Sequence, residues 1–341
     1  MSVDRLSRRR ALTGLSTVGL VSVVGCLGDS QQLTIGVGPS GSRSYQAGHA
    51  LAVAADRHSD EISLRVESVE SPSQRLYAVE DGTVTAAGVD NTTLYRASEN
   101  RGVFDLDPLD DLPHQGFAFG HREHYWLALE NGTVPDSAAE FDEQVVHPGQ
   151  PSEPTRLITE QLLRDAGLWE AAEIDNRPRA ELPAAAAEGT VGCLVAVQHS
   201  GRALSSGSQS LDEQVGDRLA VVPAGEAFQA AVEDAPNALD REIEPVGWEA
   251  AALAETVEGW TVPLQWLWSS TTDPDVVAEL TRLAADYSET LREIDPLALD
   301  GDGERLAESV LDDVAVHEGT AEAFRTLGSW NSSWSVGDAA D

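Results

Sequence analysis

The feature that most constrains the fold is the order of apolar segments after residue 30, where short strand-like runs and longer helical runs follow one another in turn. Residues 33–36 read as a strand, 45–57 as a helix, 62–69 as a strand, 73–80 as a helix and 85–89 as a strand. Residues 91–98 give the next helix, with Asp90 placed to cap it. Parallel neighbours need crossover connections, so this alternation predicts a parallel sheet with helices on both faces. A second unit of the same kind begins near Asp142. Residues 144–147 read as a strand, and 154–166 as a helix with Leu157, Ile158, Leu162 and Leu163 as its apolar residues and Gly167 as its end. Ile174, residues 191–197 and residues 219–222 supply further strands between alanine-rich helical pieces. Near Gly259 the pattern changes to an apolar run over 260–268, followed by Asp273-Pro274 and a helix from Asp275 to about Ile294.

Two α/β lobes joined by crossing segments account for this order. The expected boundaries are lobe 1 over residues 31–141 plus 260–335, lobe 2 over 142–259, and a disordered tail over 336–341. No internal repeat is visible. Of the two cysteines, Cys193 lies in an apolar strand-like run and reads as a small buried hydrophobe.

The other cysteine belongs to the N-terminal segment. Arg8-Arg9-Arg10 precedes an apolar stretch over 11–24 that is too short to span a bilayer comfortably and carries Gly, Ser and Thr. Val23-Val24-Gly25-Cys26 then has the form of a lipobox. Residues 1–25 are therefore expected to be a twin-arginine lipoprotein signal, Cys26 the lipidated residue, and 26–32 a short tether. The alternative is a buried N-terminal helix with a chance cysteine. Export by this route would leave the protein on the outer face of the cell membrane.

Charge adds an environment and excludes one class of partner. The formal net charge is −36 and the chain contains no lysine, so all 22 basic side chains are arginine. So much carboxylate repels itself in dilute buffer and calls for strong screening; molar salt shortens the Debye length to about 3 Å. The balance resembles that of proteins from salt-in halophilic archaea. No nucleic acid is expected as a partner, because no basic face stands ready to displace counterions from phosphates. With 41% hydrophobic residues and eight tryptophans, a packed core is expected rather than acidic disorder.

Gly36-Val37-Gly38-Pro39-Ser40-Gly41 fits G-x-G-x-x-G directly after a strand and before a helix. Three points weigh against a dinucleotide: nicotinamide cofactors are absent outside the membrane, Pro39 stiffens the loop, and no acidic residue stands about 20 positions on at a strand end. What survives is a glycine-rich turn feeding a helix N-terminus, whose unpaired amides suit an anion. A plain turn with no ligand is the alternative.

At this point a resemblance becomes specific. LTIGVGPSGSRSYQAGHALA and RVESVESPSQRLYAVEDGTVTAAGVDNTTLYRA resemble the opening of the TAXI-family solute receptors of TRAP transporters. EFDEQVVHPGQPSEPTRLITEQLLRDAGL is similar to that family's second-lobe loop and helix. LPAAAAEGTVGCLVAVQHSG continues the similarity, and VHEGTAEAFRTLGSW resembles its closing helix. The resemblance implies a type II periplasmic-binding-protein fold of class α/β, with two lobes closing by a hinge on a small solute and a membrane permease as partner.

Carried over residue by residue, it implies ligand contacts from Ser40, Gly41, Ser42 and Tyr45 in the first loop and from Asp90 and Asn91 at the third strand end. From the second lobe it implies Ser152, Thr155, Arg156 and His199. Small hydroxyls and amides would fix carboxylate oxygens there, with Arg156 able to pair bidentately. The expected ligand is a small carboxylate such as an amino acid or organic acid, without catalysis, cofactor or metal. A receptor for an ATP-driven importer or a sensor, or an extracellular enzyme on the same scaffold, are the alternatives.

Departures from the family pattern are plain. Glu153 and Pro154 replace flexible glycines, and Arg43 stands where a small residue is usual. His121 and His124 are expected on the surface, scattered to different faces of a strand or turn. Asp300-Gly301-Asp302-Gly303-Glu304 lacks the later glutamate of a calcium loop. Asn91, Asn131 and Asn331 begin glycosylation sequons.

Overall fold

The computed structural model describes residues 31–130 and 134–337; the twin-arginine run, Cys26, the Asn131 sequon and residues 338–341 lie outside the described residues. The first lobe opens with β1 (Gln31–Val37), α1 (Arg43–His58), β2 (Ile62–Ser68), α2 (Pro72–Glu80), β3 (Ala86–Asp90), α3 (Asn91–Ser98) and the single turn α4 (Val103–Leu106). A long strand β4 (His114–Leu129) then carries the chain into the second lobe. There β5 (Val145–His147), α5 (Pro154–Asp165), β6 (Glu173–Ile174), α6 (Leu182–Glu188), β7 (Cys193–His199) and β8 (Ala203–Leu204) are followed by α7 (Ser206–Val215), β9 (Leu219–Val222), α8 (Glu226–Glu233) and β10 (Leu239–Ile243). The strand β11 (Val257–Trp268) returns to lobe 1, which α9 (Pro274–Asp286), α10 (Ser288–Ile294), α11 (Gly303–Ala307) and α12 (Glu318–Leu327) complete.

The sheet order in lobe 1 is β2-β1-β3-β11-β4, with β1 parallel to β2 and β3 and with β11 antiparallel to both neighbours. Lobe 2 repeats the scheme as β6-β5-β7-β4-β9, where β4 is the antiparallel member. Each lobe thus runs 2-1-3-n-4, where n is a strand that crosses from the other lobe. This is the two-lobe type II periplasmic-binding-protein fold. The duplication is a fact of topology that the sequence does not display.

Packing divides the molecule the same way. On lobe 1, Ile35, Leu51, Phe117 and Trp266 fill one face of the sheet, and Leu76, Val89, Phe104 and Leu267 the other. On lobe 2, Trp126, Phe141, Leu162 and Trp260 fill one face, and Tyr125, Leu182, Leu194 and Leu211 the other. The crossing strands change cores within a few residues: Phe119 serves lobe 1 and Tyr125 lobe 2, and Val262 serves lobe 2 and Leu264 lobe 1. The change of core falls near residue 122 on β4 and near residue 263 on β11.

Local rules hold at several element ends. Asp90 accepts the Thr93 amide and caps α3 as its sequence position predicts. Ser42 caps α1, and Ser71 with Gln74 forms a capping box on α2. Gly48 lets α1 lie close on β1, since a Cβ there would sit 2.7 Å from Cγ1 of Val37. Cys193 is fully buried, and burial pushes its thiol up to about 12.

Four expectations change. β4 has no place in the sequence reading, because its centre, Gly120-His121-Arg122-Glu123-His124, is polar. The crossing position explains this, since there the strand meets the gap between lobes instead of a core. His121 and His124 are buried, not on the surface; His124 stacks on Trp260 with ring centroids 5.2 Å apart. The expected single helix over 275–294 breaks at Tyr287 into α9 and α10. At the C-terminus, Val336 bridges to Val316 and so belongs to the folded lobe.

Candidate functional site

The 2-1-3 arrangement brings strand ends and helix starts from both lobes to one gap. Its main chamber, about 640 Å³, lies between the start of α1 in lobe 1 and the starts of α5 and α7 in lobe 2. A narrower arm of about 190 Å³ runs from it toward α2 and the end of β3, and the two share Ser42, Arg43, Arg122 and Pro154. Gly41, held at φ +88° in the turn before α1, borders the chamber.

Four arginines line this space, Arg43, Arg75, Arg122 and Arg179, against three carboxylates, Glu70, Asp90 and Glu153. Counting Asp295, the partner of Arg43, the charges balance four to four in a chain whose net charge is −36. Most of the cations are engaged. Arg43 holds Asp295 with two parallel bonds of 2.7 and 2.9 Å, the planar fork on carboxylate that arginine favours. Arg179 pairs with Glu153. Arg75 donates to the carbonyls of Gly88 and Val69, and burial lowers its pKa to about 10, so it stays charged.

Arg122 is different. It stands on β4 at the crossing, and its side chain makes no hydrogen bond or ion pair among the described residues. Its Nη1 is shielded from solvent without a partner. Burial lowers its pKa; Asp90 and Glu153 oppose that shift, while Arg179 and Arg43 reinforce it. Arginine nonetheless remains protonated in proteins. A charged guanidinium with one shielded, unpartnered nitrogen is a costly arrangement until an anion arrives. Beside it, burial and then Arg122 and Arg43 depress His199 to about 3, so this ring is neutral at pH 7 and can offer only dipolar contacts.

The sequence-predicted residues divide. Gly41, Ser42, Thr155 and His199 line the chamber, and Asp90 lines the arm. Ser152, at φ +70°, borders a further gap on the far side of Pro154. The remaining four do not line this space. Ser40 is exposed on the outer turn. Tyr45 packs into the lobe 1 core beside His49. Asn91 is buried, bonded to the Ser309 carbonyl and to Gln265 inside the lobe, which also closes its sequon to modification. Arg156, expected to pair with the ligand, instead stacks on Trp169 at 4.8 Å, pairs with Glu160 and donates to the Gly149 carbonyl.

Sequence reasoning missed Arg75, Arg122 and Arg179. Only Arg122 carried a signal, a cation inside Phe117-Ala118-Phe119-Gly120-His121-Arg122-Glu123-His124-Tyr125-Trp126, a run that is otherwise apolar at both ends. The departures at Arg43 and Glu153 resolve into ion pairs, so Glu153 does not stand as a free negative charge at the site. Among the described residues no cluster of three or more ligating side chains could hold a metal. No described helix is long and apolar enough to cross a membrane.

No family model matches the sequence, and no curated protein matches it. Among solved structures, the chain is similar to a TctC solute binding protein from Polaromonas, at TM-score 0.48 and 14% identity over 82% of this chain and 94% of that one. It is also similar to the aliphatic sulphonate binding protein SsuA from Escherichia coli, at TM-score 0.42 and 13% identity over 79% of this chain and 80% of that one. The ectoine binding protein TeaA of the TeaABC TRAP transporter gives TM-score 0.42 and 12% identity over 87% and 90%. The fold assignment rests on the strand order in each lobe, not on these likenesses.

Proposed function

We propose that this chain is an extracytoplasmic solute receptor of the TAXI type that takes up a small carboxylate between its lobes and delivers it to a TRAP permease, with no catalysis of its own. The observation that carries the reading is Arg122, an unpaired guanidinium at the crossing strand between two lobes. An anion bound there meets α1 of lobe 1 and α5 of lobe 2 together, so binding favours the closed arrangement. Carboxylate is the natural partner for a planar fork of donors, and Ser42 and Thr155 are among the residues that line the same chamber. His199 is neutral at physiological pH, which suits a binding wall better than an acid–base pair. Export and anchoring through Cys26 belong to the same proposal, and release of a C26A variant into the medium would check them.

The test is thermal unfolding in molar potassium chloride against a panel of amino acids and organic acids, using the chain without residues 1–26, since the described fold lies wholly beyond them. A ligand-dependent rise in midpoint that grows as RT ln(1 + [L]/Kd) is expected, and R122Q should remove it. Turnover of the bound solute, or a wild-type response that R122Q leaves intact, would overturn the reading.

A further inference from the structure

The arm that holds Arg122 opens in two directions. One is the main chamber described above. The other is a gap of about 490 Å³ that adjoins the arm at Pro72 and Pro154, which line both spaces. Its walls come from opposite lobes: Val103 and Leu106 of α4 on one side, Leu157 of α5 on the other. Leu106 is 87% exposed and Val103 55%, the two most exposed large apolar side chains among the described residues. On a surface otherwise dominated by carboxylates, an apolar lip of this kind beside a binding cleft marks a place that something covers.

We propose that the ligand is an amphipathic carboxylate, whose anionic group meets Arg122 and whose apolar substituent lies in the gap between α4 and α5. The inference rests on the receptor reading above and narrows its ligand class. Continuity decides the occupant: Pro72 and Pro154 line both the arm that holds Arg122 and the gap, whereas the opposite chamber, although Val197, Leu204 and Leu297 belong to it, also presents Arg43, Glu153 and Arg179. An aliphatic or aromatic substituent of four to six carbons would remove Val103, Leu106 and Leu157 from water at once. The gap also contains Arg96, so a ligand with a second carboxylate is the competing chemistry.

The experiment compares Kd values in molar potassium chloride for acetate, butyrate, hexanoate and succinate, and in parallel for alanine, leucine, phenylalanine and glutamate. Affinity should tighten about threefold to fourfold for each methylene buried, with hexanoate above succinate or leucine and phenylalanine above glutamate. L157S, and independently L106S at the exposed lip, should flatten the dependence on chain length. Tighter binding of succinate or glutamate than of their apolar counterparts would overturn the inference, leave the receptor reading standing and point to Arg96. An equal loss for every ligand in both variants, whatever its chain length, would also overturn it, because the gap would then be closed by lobe-on-lobe packing. No binding by any probe would remove the receptor reading and this inference together.

Discussion

Replacing Arg122 with methionine should move stability and binding in opposite directions. The guanidinium has a shielded Nη1 without a partner, and leaving a charged donor unsatisfied costs about 1–3 kcal/mol. Methionine keeps most of the length and removes that cost, while forfeiting the attraction of Asp90, which molar salt already weakens. A net gain of about 1–2 kcal/mol for the unliganded protein follows. With an unfolding entropy near 2.1 cal/mol/K per residue, a folded chain of about 300 residues changes by about 0.6 kcal/mol/K, so the midpoint should rise by about 2–3 °C. Truncating one partner of a desolvated charge pair costs about 2–5 kcal/mol in binding, or about thirtyfold to several thousandfold in Kd. Calorimetric melts of both proteins with and without ligand, in molar potassium chloride, read both numbers. A lower midpoint for unliganded R122M would refute the reasoning, since Arg122 would then support the fold rather than await an anion.

Three further outcomes follow from the same contacts. R156A should lose about 1–2 kcal/mol of stability through its cation–π stack on Trp169 and its buried stem; the denaturant midpoint reads this, and Kd should move less than twofold. D295N breaks the two-bond pair with Arg43, whose partners are 12% and 2% exposed. It should cost about 3 kcal/mol, most of which the apolar double replacement R43M/D295L restores, again read as a denaturant midpoint. At the start of α12, the Gly319 amide donates to Nδ1 of His317 at 3.2 Å, which requires a neutral ring, and burial followed by His114 lowers the pKa to about 4. The unfolded chain therefore takes up the proton first, so this contribution is complete above about pH 6.5 and is lost as pH falls from there toward 4. H317N, which caps without titrating, should flatten that slope in urea midpoints measured from pH 7 to 4.5.

Much of the scaffold was legible because its signals are local. Alternating apolar runs located β1 to β3 and α1 to α3 closely, Asp90 announced its cap, and Gly167, at φ +74°, ends the α5 segment as expected. The long strand β4 was not legible. Its polar centre breaks the apolar pattern at the point where the strand leaves one core for the next, and no local rule distinguishes that from a turn. The site was half legible: residues in the turns before α1 and α5 reach the cleft, because strand ends and helix starts face it in this topology.

The sequence by itself therefore determined the type and order of most elements, the two-lobe α/β class and a net charge of −36. The tertiary structure decided which cations serve the cleft. Arg43 meets a partner 252 residues away, Arg156 turns onto Trp169, and Arg122 is left unpaired where two cores meet. Periodicity fixes which residues share a face of one element, because it depends on bonds within that element. Which faces then oppose each other across a gap depends on pairings between distant segments, and those are set only when the crossing strands bring both lobes together.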